Sequence, residues 1–499
     1  MKKLFAVLLS LAMILTLIAC RAEKEVSDER PVSPVDGTSS GVDANDAPAE
    51  DIQEDGATEI PDGTELPAIS VSAARLTNAV LQEDGKTVEL SFSEPVTFSG
   101  IQNIFVSSDT ESILFETPGP VVNAADFGAV SGDTEDDTQP LQDALNAVKD
   151  GGVIYFPAGE YLVSKCLMYY SNQTLFFEDG AVLKRGDPEC RSLLANYMEG
   201  TEGGYTATEN VNIIGAVFDG NDAYDTKNVM MNSCHIRNLN VINCTFRNGN
   251  ETHYYECNSG ENLRIIGCVF EDSFRNGHPK AEYLQIDRAG SGAYGDKISV
   301  MGTHTAVVDD TPCRNVLVAD CEFYGVESLC PGIGNHANAA HSNIVIQNCT
   351  FIGGSPMRGS IAFGGGLIDS HVLNNHFSQC ERGITSGSKD STDFHVYESN
   401  VFEDAKWPLH LFMEWSAGTG EEHAVSLPCV AAPKNYAWLD GVEINGCTYG
   451  TVAQITFDNV LDENARIIAL VGSVWDRNGL SPVSDYPCEA VCGIVPITK

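Results

Sequence analysis

The most informative pattern in the chain is an alternation of apolar and polar positions that returns at a nearly fixed interval. From Asn210 the sequence reads NVNIIGAVF, then NLNVINCTF from Asn238, NLRIIGCVF from Asn262, NVLVADCEF from Asn315 and NIVIQNCTF from Asn343. A degenerate copy, GVEINGCTY, begins at Gly441. Successive starts lie 28, 24, 53 and 28 residues apart, so the long interval holds a further unit and an insertion. Within each unit the apolar residues alternate, as Ile344 and Ile346 do, which predicts a strand with one buried face. The phase slips by one at Asn348 and resumes at Cys349 and Phe351, as a polar corner between two short strands requires. Short strands repeating at this period predict an all-β fold, a single-stranded parallel β-helix. The corner asparagines are placed to stack into side-chain ladders.

The repeat also assigns the cysteines. Cys244, Cys268, Cys321, Cys349 and Cys447 take the same inward position in successive units, where reduced Cys acts as a small hydrophobe. Rungs about 4.8 Å apart do not exclude a disulfide, and Cys488 with Cys492 is the better candidate pair. Ahead of the repeats, Leu141, Leu145 and Val148 mark one face of a short helix. That helix starts near Asp137 and Thr138, ends at Gly151 and Gly152, and is followed by a strand over Val153–Phe156.

Charge narrows the partners. The 499 residues hold 29 Lys and Arg against 70 Asp and Glu, a net charge of −41. Such a surface excludes nucleic acid, which needs a basic face. Residues 1–19 read as a signal peptide: Lys2 and Lys3 precede an apolar run from Leu4 to Ile18, too short to span a bilayer. Leu17-Ile18-Ala19-Cys20 resembles a bacterial lipobox, which implies lipidation of Cys20 and an exported protein anchored on the outer face of the cell membrane. Residues 21–67 carry 14 acidic and 3 basic residues with much Pro, Gly, Ser and Thr, so residues 20–67 are expected to be a disordered tether. Residues 68–120 are expected to form a small β-rich extension. In it SFSEPV resembles segments of Ig-like modules, although about 50 residues are too few for a full sandwich.

Residues 123–163, NAADFGAVSGDTEDDTQPLQDALNAVKDGGVIYFPAGEYLV, resemble the opening of the pectate-lyase-like superfamily, in its rhamnogalacturonase/epimerase-like branch. The resemblance implies a right-handed β-helix over residues 121–480, capped by the helix, with a C-terminal cap or tail at 481–499. It places Asp136 and Asp137 in the cap and implies a carbohydrate-active protein, without choosing its chemistry.

The chemistry is sought on the outward positions of one stacked face. Aligning His253–Asn258 over Glu282–Asp287 and Gly332–His336 turns Tyr255, Leu284 and Ile333 inward, with Cys257 and Ile286. Glu256, Gln285 and Gly334 then stack outward, as do Asn258, Asp287 and His336. A one-residue slip would bury Gln285 and Asp287 and expose Leu284 and Ile286. Glu256 and Asp287 fall about 8 Å apart by strand geometry, a separation suited to an inverting glycosidase. Asp309 and His336 are added as candidate catalytic groups. The order Asp287, Asp309-Asp310, His336 is similar to the polygalacturonase pattern, but Gln-Ile-Asp and Gly-Asn-His replace its usual triplets. Asn258, Gln285, Tyr254, Tyr283 and Arg358 are the candidate substrate-binding residues. The expected function is a surface polysaccharide hydrolase acting as a monomer, with a uronate lyase or a non-catalytic glycan binder as alternatives. No metal site is assigned, and Ca²⁺ is the one cofactor the acidic surplus admits.

Overall fold

The computed structural model describes residues 75–96 and 110–403, with gaps at 225–228, 250–252, 272–280, 291–306, 326–329, 336–339, 356–357, 364–366, 368, 381, 389–393 and 399. After residue 403 it describes strand segments alone. The chain winds as a parallel β-helix. One sheet stacks Gly159–Val163, Ala181–Arg185, Val217–Asp219, Thr245–Arg247, Val269–Phe270, Glu322–Gly325, Thr350–Gly353, His376–Ser378 and Val401–Glu403, every neighbouring pair parallel. A second, larger stack holds 20 strands, among which Met231–Ile242 and Tyr255–Ile266 run through two faces of the coil.

The stacking is visible in single columns of side chains. Phe246, Phe270, Phe323, Phe351 and Phe377 lie ring over ring at 4.8 Å, the spacing of the rungs themselves. Asn210, Asn238, Asn262, Asn315 and Asn343, the first residues of the five repeats, extend a ladder that begins at Asn172. Each Nδ2 donates to the Oδ1 of the previous rung at 2.8–3.1 Å. All six have φ between 51° and 61°, a left-handed corner that asparagine tolerates better than other side chains.

Cys244, Cys268, Cys321 and Cys349 form the inward column, and all the described cysteines are buried and unbridged. Cys447–Thr448 pairs antiparallel with Glu443–Ile444 in a sheet of its own, so the copy at Gly441 keeps the repeat's composition but not its rung. At the other end the helix Thr138–Ala147 buries Leu141, Ala144 and Leu145 over the first coil. Asp137 stands at its N-cap position, but its carboxylate accepts from Val130 N and Leu162 N, while Asp136 accepts from Thr138. Both acids are thus tied into the cap.

Leu76–Leu81, Thr87–Val96 and Thr110–Glu116 form a three-stranded antiparallel sheet. It lies along the side of the coil: Val88, Leu90, Phe92 and Phe115 pack on Ile214, Ile242, Ile266, Leu317, Ala319 and Val345. Repeat units carrying two adjacent apolar residues, such as Ile213-Ile214 and Ile265-Ile266, need this cover, because the second of each pair faces out of the coil.

Candidate functional site

Parallel pairing sets the register of the candidate face. Tyr255 pairs with Leu284, Glu256 with Gln285, Cys257 with Ile286 and Asn258 with Asp287; Leu284 continues to Ile333 and Gln285 to Gly334. Tyr255, Cys257, Leu284 and Ile286 enter the core, as the alternation requires. Outward, one row runs Asn232, Glu256, Gln285, Gly334, Ala362 and Thr385, and Asn258 and Asp287 stand beside each other in the next. Glu256, Asn258, Gln285 and Asp287 therefore form a checkerboard, with carboxylates on one diagonal and carboxamides on the other.

Hydrogen bonds follow that checkerboard. Glu256 accepts from Asn258 Nδ2 at 3.2 Å and from Asn232 Nδ2 at 3.3 Å. Asp287 accepts from Gln285 Nε2 at 3.1 Å and from Arg288 N at 2.8 Å. Reversing any of these amides would set its oxygen against a carboxylate oxygen, so their orientation is fixed by charge. The opposite ends, Asn232 Oδ1, Asn258 Oδ1 and Gln285 Oε1, are buried with no hydrogen-bond partner among the described residues. Both carboxylates are buried too, Glu256 at 1% exposure and Asp287 at 6%.

The remaining candidates divide. Asp309 reaches the 200–206 loop: it accepts from Gly204 N at 2.8 Å and from Thr311 N at 3.0 Å. Burial works to raise its pKa, but these bonds and the nearby His235 prevail and hold it below the ordinary carboxylate value. His235 lies with its ring nitrogens 2.8 Å from Gly204 O and Val307 O, so Asp309 and His235 together fasten the two loops. Asp310 pairs with Arg288 at 3.2 Å. Arg358 bonds to Glu282, a fully buried acid that also lies 3.1 Å from His253 Nδ1.

Tyr254 and Tyr283 correct an expectation. They are wholly buried, their rings 4.8 Å apart within the core, and each hydroxyl donates to a backbone carbonyl, of Glu271 and Tyr324. They cannot stack on a sugar, because corner residues ahead of a strand do not follow its alternation. His336 and Cys20 lie outside the described residues. Among the described residues, no three His, Cys, Asp or Glu side chains converge as a metal site. Sequence reasoning missed Asn232, Glu282 and His253. The last two were legible, since the alignment that stacked Glu256 on Gln285 also set His253 over Glu282.

A fold wound from parallel rungs, with an acidic and amide-rich outward face, now meets its relatives. The family profile described as rhamnogalacturonase A/epimerase, pectate lyase-like, matches residues 121–407, and the chain belongs to that family. Plasmin and fibronectin-binding protein A of Streptococcus pneumoniae is 23% identical over 305 residues, covering 54% of this chain and 41% of the relative. Mannuronan C5-epimerase AlgE3 of Azotobacter vinelandii is 35% identical over 107 residues, 21% of this chain and 5% of the enzyme. The chain thus spans less than half the length of these curated relatives. Among solved structures, the adhesin PfbA of Streptococcus pneumoniae aligns with a TM-score of 0.48 at 19% identity, covering 60% of this chain and 76% of that one. The Yersinia enterocolitica family 28 exopolygalacturonase aligns with a TM-score of 0.47 at 15% identity, covering 66% of each chain.

Proposed function

We propose that the protein is a carbohydrate-active enzyme outside the cell that hydrolyses a glycan with Glu256 and Asp287. The observation that carries the reading is the diagonal placement of the two carboxylates on adjacent rungs. One rung and two residues put their backbones about 8 Å apart, and carboxyl groups carried about 6.5–9.5 Å apart leave room for a water opposite the leaving oxygen. One carboxylic acid gives its proton to the glycosidic oxygen as the bond to the anomeric carbon breaks. The other takes a proton from water as the hydroxide adds from the opposite face, which inverts the configuration. The neighbouring amides hold both groups in place without adding a second charge to the site.

The test is reducing-sugar release from a glycan panel. Glu256→Gln and Asp287→Asn should each lower kcat by about 10²–10⁴-fold with an unchanged melting curve, and undiminished activity in the double variant would sink the assignment. A second reading, glycan binding without turnover, is favoured by the burial of both carboxylates. Binding without product, unchanged by either substitution, would establish it in place of hydrolysis. Export and anchoring through Cys20 belong to the same proposal, and fatty-acid labelling lost in Cys20→Ala would support them.

A further inference from the structure

His235 stands at a corner of the coil with φ at 52°, a left-handed conformation uncommon outside glycine. Ser259 repeats it on the next rung, with φ at 65°. Cys234, one residue before the histidine, pairs with Asn258 of the candidate face. The imidazole is fully buried, and it reaches two separate segments of chain. Nδ1 lies 2.8 Å from Gly204 O, and Nε2 lies 2.8 Å from Val307 O.

Both ring nitrogens thus meet carbonyl oxygens, which can only accept. A neutral imidazole carries one N–H. It would serve one carbonyl and turn a lone pair on the other at hydrogen-bond distance, leaving two buried acceptors face to face. Ser259 does not relieve the conflict. Its hydroxyl lies 3.2 Å from His235 Nδ1, but its one proton is donated to Gly204 O at 2.8 Å. The imidazolium, with a proton on each nitrogen, satisfies both carbonyls at once.

Charge favours that form. Asp309 lies on the same segment as Val307, and its carboxylate and the ring interact electrostatically. The other ionisable groups on the surrounding elements have partners of their own. On the 200–206 loop, Glu202 accepts from the backbone of residues 199–201, and Tyr205 donates to Pro312 O. Asp310 pairs with Arg288. On the coil, Arg237 pairs with Glu209 and Arg314 with Glu261, while Glu256 accepts from Asn232 and Asn258. Cys234 keeps its proton, because burial pushes its thiol pKa up.

We propose that His235 is a pH-operated latch. As an imidazolium it ties the 200–206 loop and the 307–311 segment to one corner of the coil, beside the candidate face. Loss of a ring proton to solvent breaks one of the two bonds and frees a segment. The latch concerns these loops alone and stands whichever chemistry the face performs.

Hydrogen exchange of the full chain, corrected for the intrinsic effect of pH on exchange, tests the latch. From about pH 6 to about pH 8.5, a window spanning the ordinary histidine titration, protection of residues 200–206 and 307–312 should fall ten-fold or more. Residues 238–247 of the coil serve as the reference and should keep theirs. His235→Asn suits the left-handed corner but cannot become a cation. It should leave both segments less protected at the lower pH and abolish the pH dependence. Asp309→Asn should move the loss to lower pH by removing the neighbouring negative charge. In ¹⁵N-histidine-labelled protein, the ring signal that His235→Asn deletes should show both nitrogens protonated at the lower pH. Unchanged wild-type protection overturns the proposal, as does a ring holding a single proton at the lower pH. So does a pH dependence that survives in folded His235→Asn, which would belong to another group. Should that variant fail to fold, the wild-type exchange profile still decides.

Discussion

At the scale of single residues, histidines that the candidate site does not use set a pH dependence. His341 is fully buried, its Nδ1 accepting from Cys313 N at 3.0 Å. Burial, helped by the nearby Arg288 charge, pushes its pKa down to about 4, and burial does the same for His371. Unfolded histidine takes up a proton near pH 6.5. A group whose folded pKa is depressed contributes stability that is lost as pH falls, here between about 6.5 and 4. Each such histidine adds up to about 1.4 kcal/mol per pH unit to the slope. Denaturant titrations at pH 7, 6, 5 and 4.5 should show stability falling, and less steeply in His341→Gln, whose side-chain oxygen can still accept from Cys313. Equal slopes in the two proteins would exclude the assignment. The sequence could not reveal this burial, since His341 precedes a strand and carries no periodic signal. Tyr254 and Tyr283 were opaque for the same reason, whereas Glu256 and Asp287 lie inside strands and their register was readable.

At the scale of the element, the corner explains why the repeat was legible. A left-handed corner closed by a side-chain ladder restricts one position per rung to asparagine, and the starts of the five units are those positions. Asn262 donates to Asn238 and accepts from Asn315, with φ at 55°. Asn262→Ala loses both bonds and strains the backbone, for a cost of about 2–4 kcal/mol. Asn262→Gly loses the bonds alone and should cost less, by about 1 kcal/mol. Urea denaturation separates the two, and equal losses would mean that corner strain contributes nothing. The Gly441 copy shows the limit of composition as a guide. It lacks the leading asparagine, and its strands pair antiparallel with each other instead of stacking.

At the scale of the whole molecule, the coil carries apolar residues on both sides of a strand, and each side is covered. Its inner side is filled by the phenylalanine and cysteine columns, and its outer side meets the three-stranded sheet formed before residue 117. That sheet is fastened at its start, where Arg75 pairs with Asp320 at 2.7 Å and Leu76 N donates to the same carboxylate. The sequence contained both halves of this contact, the alternating Val88, Leu90 and Phe92 and the doubled apolar residues of the repeats, but nothing in a linear pattern says that they meet. Leu90 is wholly buried between the two layers, so Leu90→Asp sets an unpaired charge against Ile242 and its neighbours and should detach the sheet. The coil keeps its own rungs, so far-UV circular dichroism should change little. Protease should then cut within residues 75–116 at least ten times faster, a roughly 1.4 kcal/mol or greater loss in local opening energy. The uncovered isoleucines should also make the variant associate in light scattering. Wild-type protease resistance and a monodisperse solution in Leu90→Asp would show that the sheet does not protect this face.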